Sequence, residues 1–314
     1  SDVEFTLNGI YSTMQSSDAY SGRLVYYGDV TGDDMQAVSS TKRVANYYRF
    51  NFTKDDNPSS HWSYLYSIIQ NCNLILMNID KLVIDEDDKA YRDDLKGEAL
   101  AIRGLALFDL TRIFGYPYLK DDGASLGVPI IEGLSTIDSK PTRNTVAQCY
   151  TKIIDDLTQS LSLLGEKFNK GKINKWGAMV LLSRVYLYKG ENANALKMAS
   201  DAIIGAEKNK YALWTNEDYP TAWGEDASAS KPGEVLFEIV NLTTDSPGKE
   251  SMGYLNSYDG YDDMCITCSF YQFLKEDPKD IRLKLLSFDK KYYAYVNKYQ
   301  PQREENIEDA NIPL

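Results

Sequence analysis

Four cysteines and one histidine set the limits of any metal or nucleophile chemistry in this chain. Cys265-Ile-Thr-Cys268 has the two-residue spacing of zinc and redox motifs, but zinc needs a second ligand pair, and His61 is the only histidine to contribute. Two neighbouring cysteines in a loop read as free thiols or a local disulfide, while Cys72 and Cys149, inside helical patterns, read as small buried hydrophobes. A Ser-His-Asp or Cys-His arrangement would have to run through His61, which is equally well placed as a side chain at a helix start. Among 46 acidic residues a carboxylate pair carries no information about glycoside hydrolysis, which needs two at a defined separation. No phosphate-cradling glycine loop or dinucleotide fingerprint is present. These residues predict no catalytic centre, no metal and no cofactor.

Binding chemistry is better represented. Sugars present C–H faces that stack on Trp and Tyr rings, and their hydroxyls need Asp, Asn, Arg or Gln partners, so a site mixes aromatic with amide or charged side chains. Two stretches outside helical periodicity have that mixture: 33–50, with Asn46, Tyr47, Tyr48 and Arg49, and 223–263, with Trp223, Asn256, Tyr258, Tyr261 and Asp262. Tyr47, Tyr48, Arg49, Trp223, Asn256, Tyr258, Tyr261 and Asp262 are the candidate ligand-binding residues. The competing reading has these rings filling space between loops and a helical core.

The elements that must carry them are mostly helices. Apolar residues recur at helical spacing at Val3, Leu7, Ile10 and Met14, then at Leu65, Ile69, Cys72, Leu76 and Ile79, with Ser59 or Ser60 as cap. Leu95, Ala99, Ile102, Ala106, Leu110 and Ile113 share one face of a longer helix, in which Gly97 and Gly104 imply close backbone approach, each at a cost of about 1 kcal/mol against Ala. Gly115 is suited to a left-handed cap there, and Pro117 cannot continue the turn. Val146 to Leu164 forms another helix, with Thr142 or Asn144 as cap. Over 173–206, Leu182, Ser183, Tyr186, Ala195, Ala199 and Ala202 follow the spacing of a tetratricopeptide helix pair. The remainder is loop-rich, with a strand-like piece at 234–240 and a short helix at 267–276. The fold class expected is mostly α: a tetratricopeptide-like helical repeat scaffold mainly over 60–206, and a loop-rich lobe mainly over 21–57 and 211–300 with a few short strands.

A net charge of −12 and pI near 4.7 speak against nucleic acid, since phosphate binding needs clustered Lys and Arg. No run of 18 apolar residues is present, so nothing in the sequence reads as a spanning helix. Ser1 opens on an ordinary helical pattern with no signal peptide, as in a cytoplasmic or an already mature chain.

The segment GEALAIRGLALFDLTRIFGYPYL resembles the most characteristic run of the SusD/RagB family of outer-membrane nutrient-binding lipoproteins. Gly97, Glu98, Ala99, Arg103, Phe108, Leu110, Arg112, Phe114, Gly115 and Pro117 stand at the matching places, with Gly104 where Ala is commoner. Trp62, Tyr66, Ile69, Asn73 and Leu76 are similar to the family's preceding helix, and GVPII, Pro141 to Val146, Glu234 to Phe237, Asp280 to Arg282 and the Lys298-Tyr299 pair to its later segments. The resemblance implies a surface lipoprotein, anchored through a lipid upstream of Ser1, that captures oligosaccharide or polysaccharide and passes it to a SusC-like TonB-dependent transporter without catalysing anything. The alternative is a repeat scaffold that binds peptide or protein for nutrient uptake. Asn311 to Leu314 resembles the start of a family helix that does not follow, which implies a single SusD-like unit lacking its C-terminal part. Glu98 and Arg103 read as buried charges held by bonds between helices.

Overall fold

The computed structural model describes residues 2–53, 59–83, 85–223, 233–242, 245, 247–289, 291, 293–299 and 312–314. Its helices are α1 (Asp2–Met14), α2 (Arg23–Val30), α3 (Ala45–Tyr48), α4 (Ser59–Asn78), α5 (Lys89–Phe114), α6 (Val146–Leu161), α7 (Lys175–Lys189), α8 (Asn192–Lys208), α9 (Met252–Asn256) and α10 (Cys268–Lys275). The strands are β1 (Met35–Ala37), β2 (Glu238–Ile239), β3 (Met264–Ile266), β4 (Leu286–Phe288), β5 (Ala294–Val296) and β6 (Ile312–Pro313). The chain divides into two compact units. The first comprises residues up to Thr13 and Trp62–Ala212, and the second Met14–His61 and Leu213–Leu314.

In the first unit α5 packs on α6, α6 on α7 and α7 on α8. Every residue of α5 from Gly97 to Thr111 is buried, so this helix has no solvent face over four turns. Close approach is possible because its glycines lack side chains. A Cβ on Gly97 would stand 2.8 Å from Leu164 Cγ, and one on Gly104 3.1 Å from Leu157 Cγ. The helix end differs from the expected left-handed cap. Gly115 is extended, with φ −109°, and glycine is needed there because a Cβ would meet the Thr111 carbonyl oxygen at 2.7 Å. The cap of α6 is neither Thr142 nor Asn144 but Thr145, whose hydroxyl accepts from Gln148 N while the Gln148 side chain accepts from Thr145 N. The caps expected at Ser59 and Ser60 fall at an α4 start whose preceding residues lie outside the described ones. Gly190, at φ +83°, closes α7, and the Ser183 hydroxyl donates to the Ala195 carbonyl at 2.8 Å, pinning α7 to α8.

A helix buried all round cannot keep bare charges, because an uncompensated ion in the interior costs several kcal/mol. Arg103 is held by Asp156 of α6 through two bonds of 2.8 and 2.7 Å, and donates to Asn73 Oδ1 of α4 at 2.8 Å. Asn73 in turn donates to the carbonyls of Ile131 and Gly133 at 2.8 and 2.9 Å, which suspends the loop after α5 from α4. Glu98 accepts from the Tyr11 hydroxyl of α1. Burial pushes its carboxyl up to about 7, with the Tyr11 bond opposing.

Among the described residues, the second unit is tied by three two-stranded antiparallel ladders. Met35 pairs with Ile266 and Ala37 with Met264; Leu286 pairs with Val296 and Phe288 with Ala294; Glu238 pairs with Pro313. The strand-like piece at 234–240 thus shrinks to two paired residues. β1 emerges from a stretch without strand periodicity, since three residues show no alternation to read. Cys265 lies in β3 and Cys268 begins α10, both free.

Two outcomes follow. Replacing Arg103 with Met leaves buried Asp156 with Lys152, at 3.2 Å, as its remaining cation and lowers unfolding free energy by about 3 kcal/mol, read by urea denaturation. Because the folded-state pKa of Glu98 lies above its unfolded value, the stability it contributes is fully present below about pH 4.5 and is lost as pH rises through about 7. The loss reaches about 3 kcal/mol, and Glu98→Gln flattens that part of the pH profile of the melting temperature.

Candidate functional site

All eight candidate binding residues fall in the second unit, and the β1–β3 ladder is what joins their two stretches. Val38 N donates to the Asp263 carbonyl at 3.2 Å and Thr267 N to the Asp34 carbonyl at 2.9 Å, extending the pairing beyond the ladder at both ends.

Asn256, the last residue of α9, is buried. Its Nδ2 donates to the Met252 carbonyl at 3.1 Å, while its Oδ1 has no partner among the described residues. Asn256 is one of the residues lining a cavity of about 240 Å³, with Asp29, Lys298, Tyr299 and the apolar side chains of Val25, Met35, Met252, Met264 and Val296. Both charges are disfavoured by burial. It pushes the Asp29 carboxyl up, against the pull of Lys298, and pushes the Lys298 ammonium down, against the pull of Asp29. The Lys298 ammonium lies 3.8 Å from the centroid of Trp223, so the indole quadrupole returns part of the solvation that the cation loses. Trp223 itself sits among Trp214 at 5.0 Å and Tyr219 at 5.5 Å, edge to face, with no partner for its indole N–H among the described residues.

Tyr258, Tyr261 and Asp262 occupy the tight loop after α9, where Asp262 takes a left-handed backbone at φ +55°. Tyr261 is not an open platform. The Arg43 guanidinium covers its ring at 3.9 Å, and Tyr254 packs edge-on at 5.3 Å. Asp262 accepts from the Tyr295 hydroxyl at 2.6 Å and pairs with Lys42 at 3.3 Å. These two residues hold the loop. Tyr258, 45% exposed, is the ring the loop presents.

Tyr47 belongs to a ring cluster with Tyr27, at 5.4 Å edge-on, and Phe52, at 5.9 Å. Phe50 stands 6.2 Å from Phe52, and Tyr48 and Arg49 are exposed beside them. Phe50, at φ +54°, turns the chain out of α3 and leaves both phenyl rings exposed.

Sequence reasoning missed Asp29, whose surroundings show no motif. Lys298 and Tyr299 carried a signal, since the pair resembles a family segment, but nothing local placed it beside Asn256. The role of Arg43 as a cover over Tyr261 has no trace in the sequence, because the two are joined only by tertiary packing.

Comparison with known proteins gives a consistent result. Residues 2–187 match the model of the SusD-like_3 family, described as starch-binding associating with outer membrane. The chain is similar to a solved Bacteroides vulgatus protein named for sugar binding, at 83% identity and TM-score 0.96, covering 100% of this chain and 70% of that one. It is similar to a SusD superfamily protein of the same species at 36% identity and TM-score 0.91, covering 99% of this chain and 71% of that one. A SusD-like protein of Bacteroides ovatus is 28% identical over 135 residues, which are 42% of this chain and 23% of that protein. The chain thus matches about a quarter of that relative's length.

The covered state of Tyr261 and Asp262 is testable. Asp262→Ala removes the Tyr295 acceptor and places a Cβ residue at positive φ without a polar side chain to support it. It lowers unfolding free energy by about 2 kcal/mol, read by thermal denaturation.

Proposed function

From a chain that belongs to the SusD-like family, we propose a carbohydrate-binding protein that captures an oligosaccharide on its second unit and delivers it to a SusC-like TonB-dependent transporter. The observation that supports this reading is the cavity at Asn256. Asn256, Asp29 and Lys298 line it together with the thioether and isopropyl side chains of methionines and valines. Sugar hydroxyls would donate to Asp29 and accept from Lys298, with the Asn256 side chain beside them, while C–H faces meet Met35, Met252 and Met264. At about 240 Å³ the space lies below the ~300–1,000 Å³ of sites for drug-sized ligands, which is the scale of one sugar ring. Further units of the chain would then lie on exposed rings, with Tyr258 and the Tyr47, Tyr48 and Phe50 cluster as the platforms and Arg49 beside them. The reading includes binding and transfer, with no bond cleaved. On it the protein works at the outer-membrane surface, held by a lipid anchor upstream of Ser1.

Isothermal titration against a panel of oligosaccharides tests this. A ligand that binds wild-type protein binds Asn256→Ala and Tyr258→Ala each about tenfold more weakly, the loss of one good hydrogen bond or one stacked ring. Unchanged affinity in both variants removes the site from the second unit. Silence across the panel, together with failure to co-purify a TonB-dependent transporter, overturns the function.

A further inference from the structure

The first unit carries an open groove that none of the candidate residues touches. It lies between α4 and the loop 129–141 and has a volume of about 410 Å³. Trp62 and Tyr66 form its aromatic side, and Ser67, Gln70, Ser135 and Ser139 contribute hydroxyls and a carboxamide. No acidic or basic side chain lines it among the described residues, in a sequence that is 25% charged. Lysine and glutamate are the usual occupants of an exposed helix and loop surface, so their absence here leaves a surface suited to a ligand that is polar but uncharged.

The groove is held in shape before any ligand arrives. The Tyr66 hydroxyl donates to the Pro129 carbonyl at 2.7 Å, and Gln70 grips Ser135 twice, donating to its hydroxyl at 2.8 Å and accepting from its N–H at 3.0 Å. The half-buried indole of Trp62 is set by Tyr66 at 4.9 Å and by the edge of Phe114 at 5.0 Å. Fixed rings and fixed hydroxyls lose little conformational entropy on binding, which is the usual condition for recognising a flexible sugar chain.

We propose that the groove between α4 and the loop 129–141 is a second binding site, for a neutral oligosaccharide, with Trp62 as its stacking platform. The site is independent of the Asn256 cavity. It differs in chemistry too, since the cavity holds Asp29 and Lys298 and the groove holds no ionic side chain among the described residues.

The experiment uses the intact chain with isotope-labelled tryptophan. The indoles of Trp62, Trp176, Trp214 and Trp223 are followed by NMR during titration with maltohexaose, laminarihexaose, mannohexaose and xylohexaose. The expected result is a saturable shift of the Trp62 indole with at least one of these. Ser67→Arg fills the groove from an exposed helix position and weakens that response about tenfold or more, while any response at Trp223 is unchanged. Silence at Trp62 across all four probes overturns the groove as a site, whatever Trp223 does. An unchanged Trp62 response in Ser67→Arg overturns it equally. The second-unit reading is judged by the Asn256→Ala and Tyr258→Ala variants, which leave the Trp62 response unchanged, so the two proposals fail separately.

Discussion

The bidentate bond between Arg103 and Asp156 is the constraint on which the first unit depends. An ion pair in a helix buried on every side does not stabilise by its attraction alone, because both ions give up their hydration to enter the interior. What it does is forbid alternatives. Once Arg103 is inside, α6 must present Asp156 within 3 Å and α4 must present Asn73, or an uncompensated charge remains. The register of three helices is thereby set by one guanidinium. Gly97 and Gly104 make the approach close enough for those bonds, and Leu164 and Leu157 fill the space the missing side chains leave.

The same network reaches beyond the helices. Asn73 spends its carboxamide oxygen on Arg103 and its nitrogen on two carbonyls of the loop after α5. Loops of this length are ordinarily the mobile part of a fold. Here the loop is hung from a residue whose own position is determined by the buried ion pair, and Tyr66 and Gln70 secure it further along. The rigidity of the groove against α4 is thus a consequence of the core chemistry beneath it.

How much of this is legible from the residues follows from the range of the interactions involved. α5 is legible because its pattern is local: helical recurrence, two glycines and a stop written within thirty positions. The roles of Glu98 and Arg103 as buried, bonded charges are legible too, since a charge inside an apolar helical pattern needs a partner on a neighbouring helix. The cap of α6 is misplaced by one to three residues because Thr142, Asn144 and Thr145 all have suitable side chains, and only the backbone decides which one stands at the helix start. β1 is invisible, since its partner β3 lies more than two hundred residues away and three residues carry no period. The binding candidates divide the same way. Their types identify stacking and hydrogen-bonding chemistry, but whether a ring is available depends on what covers it. Tyr258 is open and Tyr261 is shielded by Arg43, three positions apart in one loop.

That difference bears on how tightly such a protein can hold a sugar. A flexible oligosaccharide loses chain entropy on binding, and ordering costs of several kcal/mol must be offset by contacts that are each modest. A stacked ring and a hydrogen bond are worth about 1 kcal/mol apiece in water-accessible sites. On the proposed reading, one cavity for a single ring, a few exposed platforms and a handful of polar groups would sum to micromolar or weaker affinity, near −8 kcal/mol or less in magnitude. Weak retention suits a proposed carrier: a ligand held at that level leaves quickly enough to be handed on, whereas a deep enclosed site would keep it. The partial shielding of aromatic rings by Arg43 and Lys298 acts in the same sense. A cation already seated on a ring must be displaced before a sugar can stack there, so each covered ring subtracts from the gain instead of adding to it.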